Sequence, residues 1–487
     1  MPTLTIIRGN EKRTVSFQGT PTIRELLSAE SGGPAHPCGG RGICGQCGVS
    51  VTGALSEMTF RETELGHRLS CQTRLLGDAE IHLSGQREMR ILRDTPAREH
   101  RIPGAETPLT AVADIGTTTV AVSLYREETA EPVYSAGGMN PQRSVSDDVI
   151  GRIHFASARG PEKLQREIRE ALKDLTRTEK ISGTLKQWII TGNTAMLYLF
   201  AGRDPRPLGQ APFRPDCLFD ETVSFDGTPA YLPPCVHGFL GADLLCAVLA
   251  SGMHRESGTA LLCDAGTNGE MALWKHGRLY ATSVSMGPAL EGVGIRQGCG
   301  AVSGAIDRVI PTGGGVIART IDGVPAVGIC GSGVIDAVAC GLNLGWIDED
   351  GRLLRPLTLR DGIGLTQEDL QAVQLAKAAF GAGLERLMKV SSTRVEEIQA
   401  AFLCGGFGNG LNPVSAARIG LWPDRLISGT RILGNAALTG AALLRGEAGK
   451  KEIRSLAERT EAVPLGGEKE FHLAFLKHMR FEPAPFD

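Results

Sequence analysis

The sequence holds no run of about 18 apolar residues, the least that crosses a bilayer as a helix. Its first residues, MPTLTIIRGNEKRTVSF, lack the basic-then-apolar pattern of a secretory signal. No membrane association is expected, and the chain is expected to be cytoplasmic. Neither charge is in excess: 51 Lys and Arg against 54 Asp and Glu leave −3, so there is no nucleic-acid footprint. Aromatics make up only 5%, and the cores must be mostly aliphatic. GxxxxGK followed by Ser or Thr is missing, which excludes a P-loop nucleotidase. No strand leads into GxGxxG with an acidic residue about 20 positions on, which excludes a dinucleotide-binding Rossmann unit. Only one CxxC knuckle is present, which weighs against a zinc ribbon.

A chain of 487 residues, 42% hydrophobic and 22% charged, is globular and long enough for two or three domains. Its 63 glycines predict many tight loops close to ligands or bends. Of twelve cysteines, Cys217, Cys235, Cys246, Cys263, Cys299, Cys330, Cys340 and Cys404 are scattered in apolar or Gly-rich stretches. They read as small buried hydrophobes in a reducing cell. The other four are spaced as ligands: Cys38, Cys44 and Cys47 in HPCGGRGICGQCGVSV, then Cys71 in RLSCQTRL. A two-iron cluster needs four converging thiolates, and glycines let the backbone wrap around it. A zinc site or another cluster type are the alternatives. Around these cysteines, residues 1–87 read as strands at 3–8 and 14–17 joined by a turn at Gly9-Asn10, a helix at 22–30, a strand at 49–51, a helix at 60–65 and a last strand at 81–83. That order resembles the β-grasp fold of plant-type and adrenodoxin-type [2Fe-2S] ferredoxins. Residues 88–109 are charged and contain proline, and read as a linker, either a tether or a strap packed on one domain.

Residues 110–487 carry three Gly-rich motifs. AVADIGTTTVAVSLY gives a strand, a turn and a returning strand, in which Gly116 allows close phosphate approach and Thr117, Thr118 and Thr119 offer donors. Asp114 at the strand end is placed to hold Mg²⁺ through waters. LLCDAGTNGEMAL repeats the design with Asp264, Gly266, Thr267, Asn268 and Gly269. FLCGGFGNG, with Gly405, Gly406, Phe407, Gly408 and Asn409, follows an apolar strand. The three in this order resemble the actin, heat-shock-chaperone and sugar-kinase superfamily. The resemblance implies a two-lobed α/β fold duplicated around an ATP cleft, with the last motif at the adenosine. It also implies a water-orienting carboxylate at the start of the helix in GFLGADLLCAVLASG. That residue is Asp243, which also reads as a helix N-cap. GICGSGVIDA resembles a ribose-covering loop and helix, with Gly331, Ser332, Gly333 and Asp336, where Asp336 reads equally as structural. LGNAALTGAALL resembles the small-residue hinge helix between the lobes, and Asn193 and Thr194 of ITGNTAM are expected to face the cleft. Glu291 of GPALEG is either a loop carboxylate or a helix-start Glu.

The order CGGxGxCGxC, ADIGTTT, NPQ, GNTAM, PLGQAPF, DAGTNGE, GPALEG, GICGSGVID, LAKAA, GGFGN and GNAALTGA resembles, over nearly the whole chain, the ATP-dependent reductive activators of corrinoid proteins. That resemblance implies a homodimer that returns one electron from a [2Fe-2S] cluster to a corrinoid protein that has slipped to Co(II), supplied by an unknown low-potential donor. The linker is shorter here than in better-known members. After NPQ the chain reads RSVSDDVIGRI where the family has Gly-Ala-Asp-Val, which leaves Asp147 and Asp148 unassigned. A plant-type cluster sits near about −400 mV, and each ~59 mV of deficit costs a factor of ten. The Co(II)/Co(I) couple is expected to lie lower, so ATP binding must favour a different state of the partner complex. The expected state is one in which cobalt has lost an axial ligand. The reading from another class is a redox-gated small-molecule kinase, which would yield a phosphorylated product.

Overall fold

The computed structural model describes residues 1–8, 11–27, 34, 40, 42, 47–83, 108–127, 129, 131–177, 184–211, 213–405, 410–465 and 469–483. Residues 1–83 build a five-stranded sheet in the order Glu11–Ser16, Thr3–Arg8, Leu75–His82, Gly48–Leu55, Arg68–Leu69. The first hairpin is antiparallel, and Thr3–Arg8 runs parallel to Leu75–His82, the strand arrangement expected of a β-grasp. Leu75–His82 begins well before the expected residue 81, because Leu75, Ala79 and Ile81 alternate inward against Leu76, Asp78 and His82. The second strand likewise begins at Glu11, earlier than expected. Ile23 and Leu27 of the helix Ile23–Leu27 complete a core with Leu4, Ile6 and Phe17. The helix Phe60–Leu65 opens on a capping box of Thr59 and Glu62 and closes at Gly66 with φ 71°. The expected turn at Gly9-Asn10 lies outside the described residues.

From residue 108 onward the topology is duplicated. One six-stranded sheet runs Glu221–Phe225, Thr228–Leu232, Thr184–Gly192, Pro108–Ile115, Thr119–Arg126, Tyr134–Met139. The other runs Thr430–Ile432, Ile398–Cys404, Thr259–Ala265, Asn268–Lys275, Arg278–Ser285, Thr460–Ala462. In each, an antiparallel three-strand meander lies beside a parallel strand, Thr184–Gly192 in the first and Ile398–Cys404 in the second.

Two helices fill the space between the sheets. Ala242–Ser251 and Ala436–Leu443 share a core with Val112 and Ile189 of one sheet and Ala260, Leu262 and Ala272 of the other. Their approach is set by Gly440, where a Cβ would fall 1.8 Å from the Cys246 carbonyl oxygen. The small residues of LGNAALTGAALL thus do what the sequence suggests: they let two helices touch at the backbone. Lobe two adds a three-stranded sheet, the helix Gly331–Asn343 and the long helix Gln367–Val390. Among the described residues, no helix is long and apolar enough to cross a membrane.

Candidate functional site

The two Gly-Thr turns face each other at the mouth of the interlobe space. In the first, a Cβ on Gly116 would sit 2.7 Å from the Thr119 carbonyl, so the turn closes only with glycine. Its carbonyls are tied from behind. Asn140 of NPQ donates its Nδ2 to Gly116 O at 2.8 Å, and its own N–H to Thr118 O. Arg152 Nη2 donates to Thr117 O at 2.6 Å, and Asn193 Nδ2 donates to Thr117 Oγ1 at 3.2 Å. Thr118 Oγ1 lies 3.1 Å from Thr267 Oγ1 of the second turn, so the two lobes touch here. In the second turn Gly266 N–H donates to Asn268 O at 3.0 Å. Gly269 is required by packing, since a Cβ would meet Met286 Sδ at 2.4 Å.

Carboxylates gather behind the turns. Asp114 accepts from Asn435 Nδ2 at 2.9 Å and is pushed up to about 6 by burial. Asp264 rises to about 7 through burial and the charge of Asp114. Asp243 rises through burial and Asp114. Gly241 is the N-cap of its helix, so Asp243, two residues later, is not the capping residue. Glu270 pairs directly across the hairpin from Asp264 and rises through burial, Asp243 and Asp264. Like charges opposed on one face are unfavourable; this cluster therefore suits a cation or a proton. Among the described residues, no three His, Cys, Asp or Glu side chains converge as direct ligands of one ion.

The third motif arrives over this cluster. Gly405 has φ 91°, and a Cβ there would lie 2.2 Å from Asp264 Oδ1. Gly406, Phe407, Gly408 and Asn409 lie outside the described residues. Gly410, just beyond them, sits against Ser332 Oγ, so the start of the helix Gly331–Asn343 borders the same space. Gly333 serves packing, with its Cβ position 2.2 Å from Ile306 O. Asp336 is fully buried, accepts from Val309 N–H at 3.2 Å and lies 3.6 Å from Arg308.

In the small N-terminal body, Cys47 and Cys71 converge with sulfurs 3.2 Å apart and no bond between them. The Cys71 thiol pulls Cys47 down to about 6 against the effect of burial, which favours the thiolate, the form that binds metal. Cys38 and Cys44 lie outside the described residues. Glu62, fully buried, accepts from Leu69 N–H at 2.9 Å and Thr73 Oγ1 at 2.5 Å, and so fixes the chain on both sides of Cys71.

Arg152, Glu270, Asn435 and Glu62 were not singled out by the sequence. Two had a signal. Arg152 stands in line with Ile153 and Ala156, the buried stripe of its helix, and a charge at an inward position needs partners. Glu270 follows from the hairpin register of DAGTNGE.

Two family models match nearly everything from residue 109 onward: "RACo middle region" over residues 109–256 and "C-terminal domain of RACo the ASKHA domain" over 258–486. The chain belongs to the RACo family. A relative from Eubacterium limosum, "Corrinoid activation enzyme RamQ", is 32% identical over 404 residues, covering 73% of this chain and 66% of the relative. The "[Co(II) methylated amine-specific corrinoid protein] reductase" of Methanosarcina barkeri is 28% identical over 362 residues, covering 64% of this chain and 65% of that one. The chain thus matches just under two thirds of the length of these curated relatives. A solved structure titled "Reductive activator for corrinoid,iron-sulfur protein" superposes with a TM-score of 0.71 at 25% identity, covering 98% of both chains. The duplicated α/β architecture of this RACo chain is therefore that of an ASKHA domain, a nucleotide-binding type.

Proposed function

We propose that this RACo protein is an ATP-dependent reductive activator that delivers one electron to a Co(II) corrinoid protein and regenerates Co(I). The observation that carries the reading is the coexistence, in one chain, of a two-loop cleft backed by carboxylates and a separate small sheet presenting paired thiols. The names of the relatives and of the superposed structure support it, and they do not favour the redox-gated kinase.

In this reading the chain divides into a ferredoxin-like domain at 1–87, a linker at 88–109 and an ATPase at 110–487. Cys38, Cys44, Cys47 and Cys71 hold a [2Fe-2S] cluster. The close, unbonded sulfurs and the acidic Cys47 thiol fit that donor set. When bound, the cluster supplies a one-electron carrier. Glu62 keeps Cys71 in place, and Gln72 Nε2, 3.7 Å from Cys71 Sγ, offers that sulfur a hydrogen bond.

In the cleft, Gly116, Thr117, Thr118 and Thr119 grip the phosphates of ATP from one lobe, and Gly266, Thr267, Asn268 and Gly269 from the other. Gly331 and Ser332 border the ribose, with Gly333 and Asp336 holding that helix start from behind, and Gly405, Gly406, Phe407, Gly408 and Asn409 border the adenosine. Asp114 and Asp264 hold Mg²⁺ through waters, which suits their crowded charge. Asp243, whose Oδ1 also accepts from the Leu244 N–H at 2.9 Å, orients the attacking water. The protein works as a cytoplasmic homodimer served by a low-potential donor.

The test is anaerobic. Reduced protein is mixed with a Co(II) corrinoid protein and MgATP is added while the visible spectrum is followed. The Co(I) band is expected only with ATP, and neither Cys47→Ala nor Asp264→Ala is expected to produce it. A Co(I) band of equal size without ATP would sink the coupling.

A further inference from the structure

Glu291 occupies the point where the two phosphate loops meet. It ends the short turn Pro288–Glu291. Its Oε2 accepts from the Thr118 hydroxyl of one lobe at 2.9 Å and from the Thr267 hydroxyl of the other at 2.8 Å. Its Oε1 accepts from the Thr267 N–H at 3.1 Å, and a Cβ on Gly266 would lie 3.4 Å from that same oxygen. One carboxylate therefore takes a backbone donor and two hydroxyls, drawn from both lobes, close enough to Asp264 for its charge to raise that carboxyl. A backbone N–H and two hydroxyls converging on one anion make the donor set that a phosphate group would use. Two anions cannot share these donors.

We propose that Glu291 is an internal stand-in for the terminal phosphate of the nucleotide, and that displacing it is how the cleft tells a nucleoside triphosphate from a diphosphate. This rests on the nucleotide-cleft reading above. The adenosine end lies toward Gly405 and Ser332, so the phosphate chain runs toward the paired turns and its last group reaches the bridge between lobes. A triphosphate must expel Glu291. A diphosphate ends one group short and leaves the carboxylate seated.

Expulsion also has somewhere to act. The chain after Glu291 turns at Gly292, φ 76°, where a Cβ would strike Cys299 O at 2.3 Å. Cys299 N–H donates to Ile329 O, and Ile329 N–H donates to Gln297 O, each at 2.9 Å. Arg296 N–H donates to Asp369 Oδ1 at 2.7 Å. Moving Glu291 thus pulls on the strand that leads into Gly331–Asn343 and on the first turn of Gln367–Val390. The structure supplies a path from phosphate count to the far side of lobe two.

The test is nucleotide binding to the full chain, by calorimetry with ADP and with the non-hydrolysable imido analogue of ATP. Glu291→Gln keeps the size and removes the charge, while Glu291→Ala removes the group. Both are expected to tighten the analogue roughly tenfold or more, the scale of a charge-assisted hydrogen bond, and to leave ADP nearly unchanged. An equal change for both ligands, or weaker analogue binding, would overturn the proposal. If unaltered protein binds neither ligand, the nucleotide cleft itself is wrong. Hydrogen exchange on unaltered protein needs no variant: segment 287–299 should exchange faster with the analogue than with ADP, and identical exchange would count against displacement.

Discussion

Arg152 is a fully buried arginine that holds the first Gly-Thr turn from behind. Its guanidinium donates to Ser146 O at 2.9 Å, Gln142 Oε1 at 3.3 Å and Thr117 O at 2.6 Å. Burial pulls it down to about 9, with Asp147 opposing, so it stays charged at neutral pH. Arg152→Met would strand several buried carbonyls and is expected to cost about 3 kcal/mol, the scale for unsatisfied buried partners of a charged donor. Arg152→Lys restores charge without the planar fork. It should recover part of the stability but not the nucleotide affinity, because a single ammonium cannot pin Thr117 and Gln142 together. Urea titration and nucleotide titration on the two variants separate these effects. Glu452 gives the pH counterpart. Its hydrogen bond from Arg255, with His254 assisting against desolvation, holds it down to about 2. A carboxylate depressed in the folded state stabilises above its unfolded pKa and loses that contribution as pH falls through the folded value. The window is therefore pH 4.5 down to about 2. Glu452→Gln should lower the melting temperature by a few degrees at pH 7 and by nothing near pH 2; equal losses at both would contradict the assignment.

At the scale of elements, the hinge pair shows which parts of the fold could be read in advance. The small residues of 433–444 announce close packing, and the structure places Gly440 on the backbone of Ala242–Ser251. Helix propensity alone would favour Ala there by about 1 kcal/mol. The obstructing atom is a backbone oxygen at 1.8 Å and cannot swing aside, so the clash wins. Gly440→Ala is expected to destabilise by about 2 kcal/mol net of propensity, the usual scale of overpacking, and to weaken nucleotide binding by splaying the lobes. A variant as stable as the parent in a melting experiment would mean the helices slide freely. Other elements were less legible. The strand Leu75–His82 hides its start because Gly77 takes an inward position without a side chain to mark it. Glu291 reads as an ordinary turn residue, since nothing local announces that Thr118, 173 positions away, shares its carboxylate.

For the whole molecule, the duplicated turn motif was enough to announce two lobes and a cleft, because each copy needs the other to surround a phosphate. The sequence could not reveal how the lobes are clamped, since that depends on residues far apart in the chain. Arg445 lies 4.2 Å from the Tyr125 ring and donates to Arg126 O and Thr129 O, and Arg454 pairs with Asp220 at 2.8 Å. The small N-terminal body stands apart energetically. Its core is Leu4, Ile6, Phe17, Ile23, Leu27, Leu75, Ala79, Ile81 and Leu83, separate from the three cores beyond residue 108. Across the two parts, Arg24 Nη2 donates to Val145 O at 2.7 Å. Separate cores unfold separately. Scanning calorimetry of the intact chain is expected to show a small and a large transition. MgATP at a hundredfold excess over its Kd should stabilise the large one by about 2.7 kcal/mol and leave the small one where it was, because nucleotide binds beyond residue 108. Arg24→Ala should leave the large transition within about a degree of the parent, because the three cores beyond residue 108 do not depend on that bond. One merged transition that moves as a whole with MgATP would show instead that the N-terminal body folds as an extension of lobe one, and the division at 88–109 would have to be withdrawn.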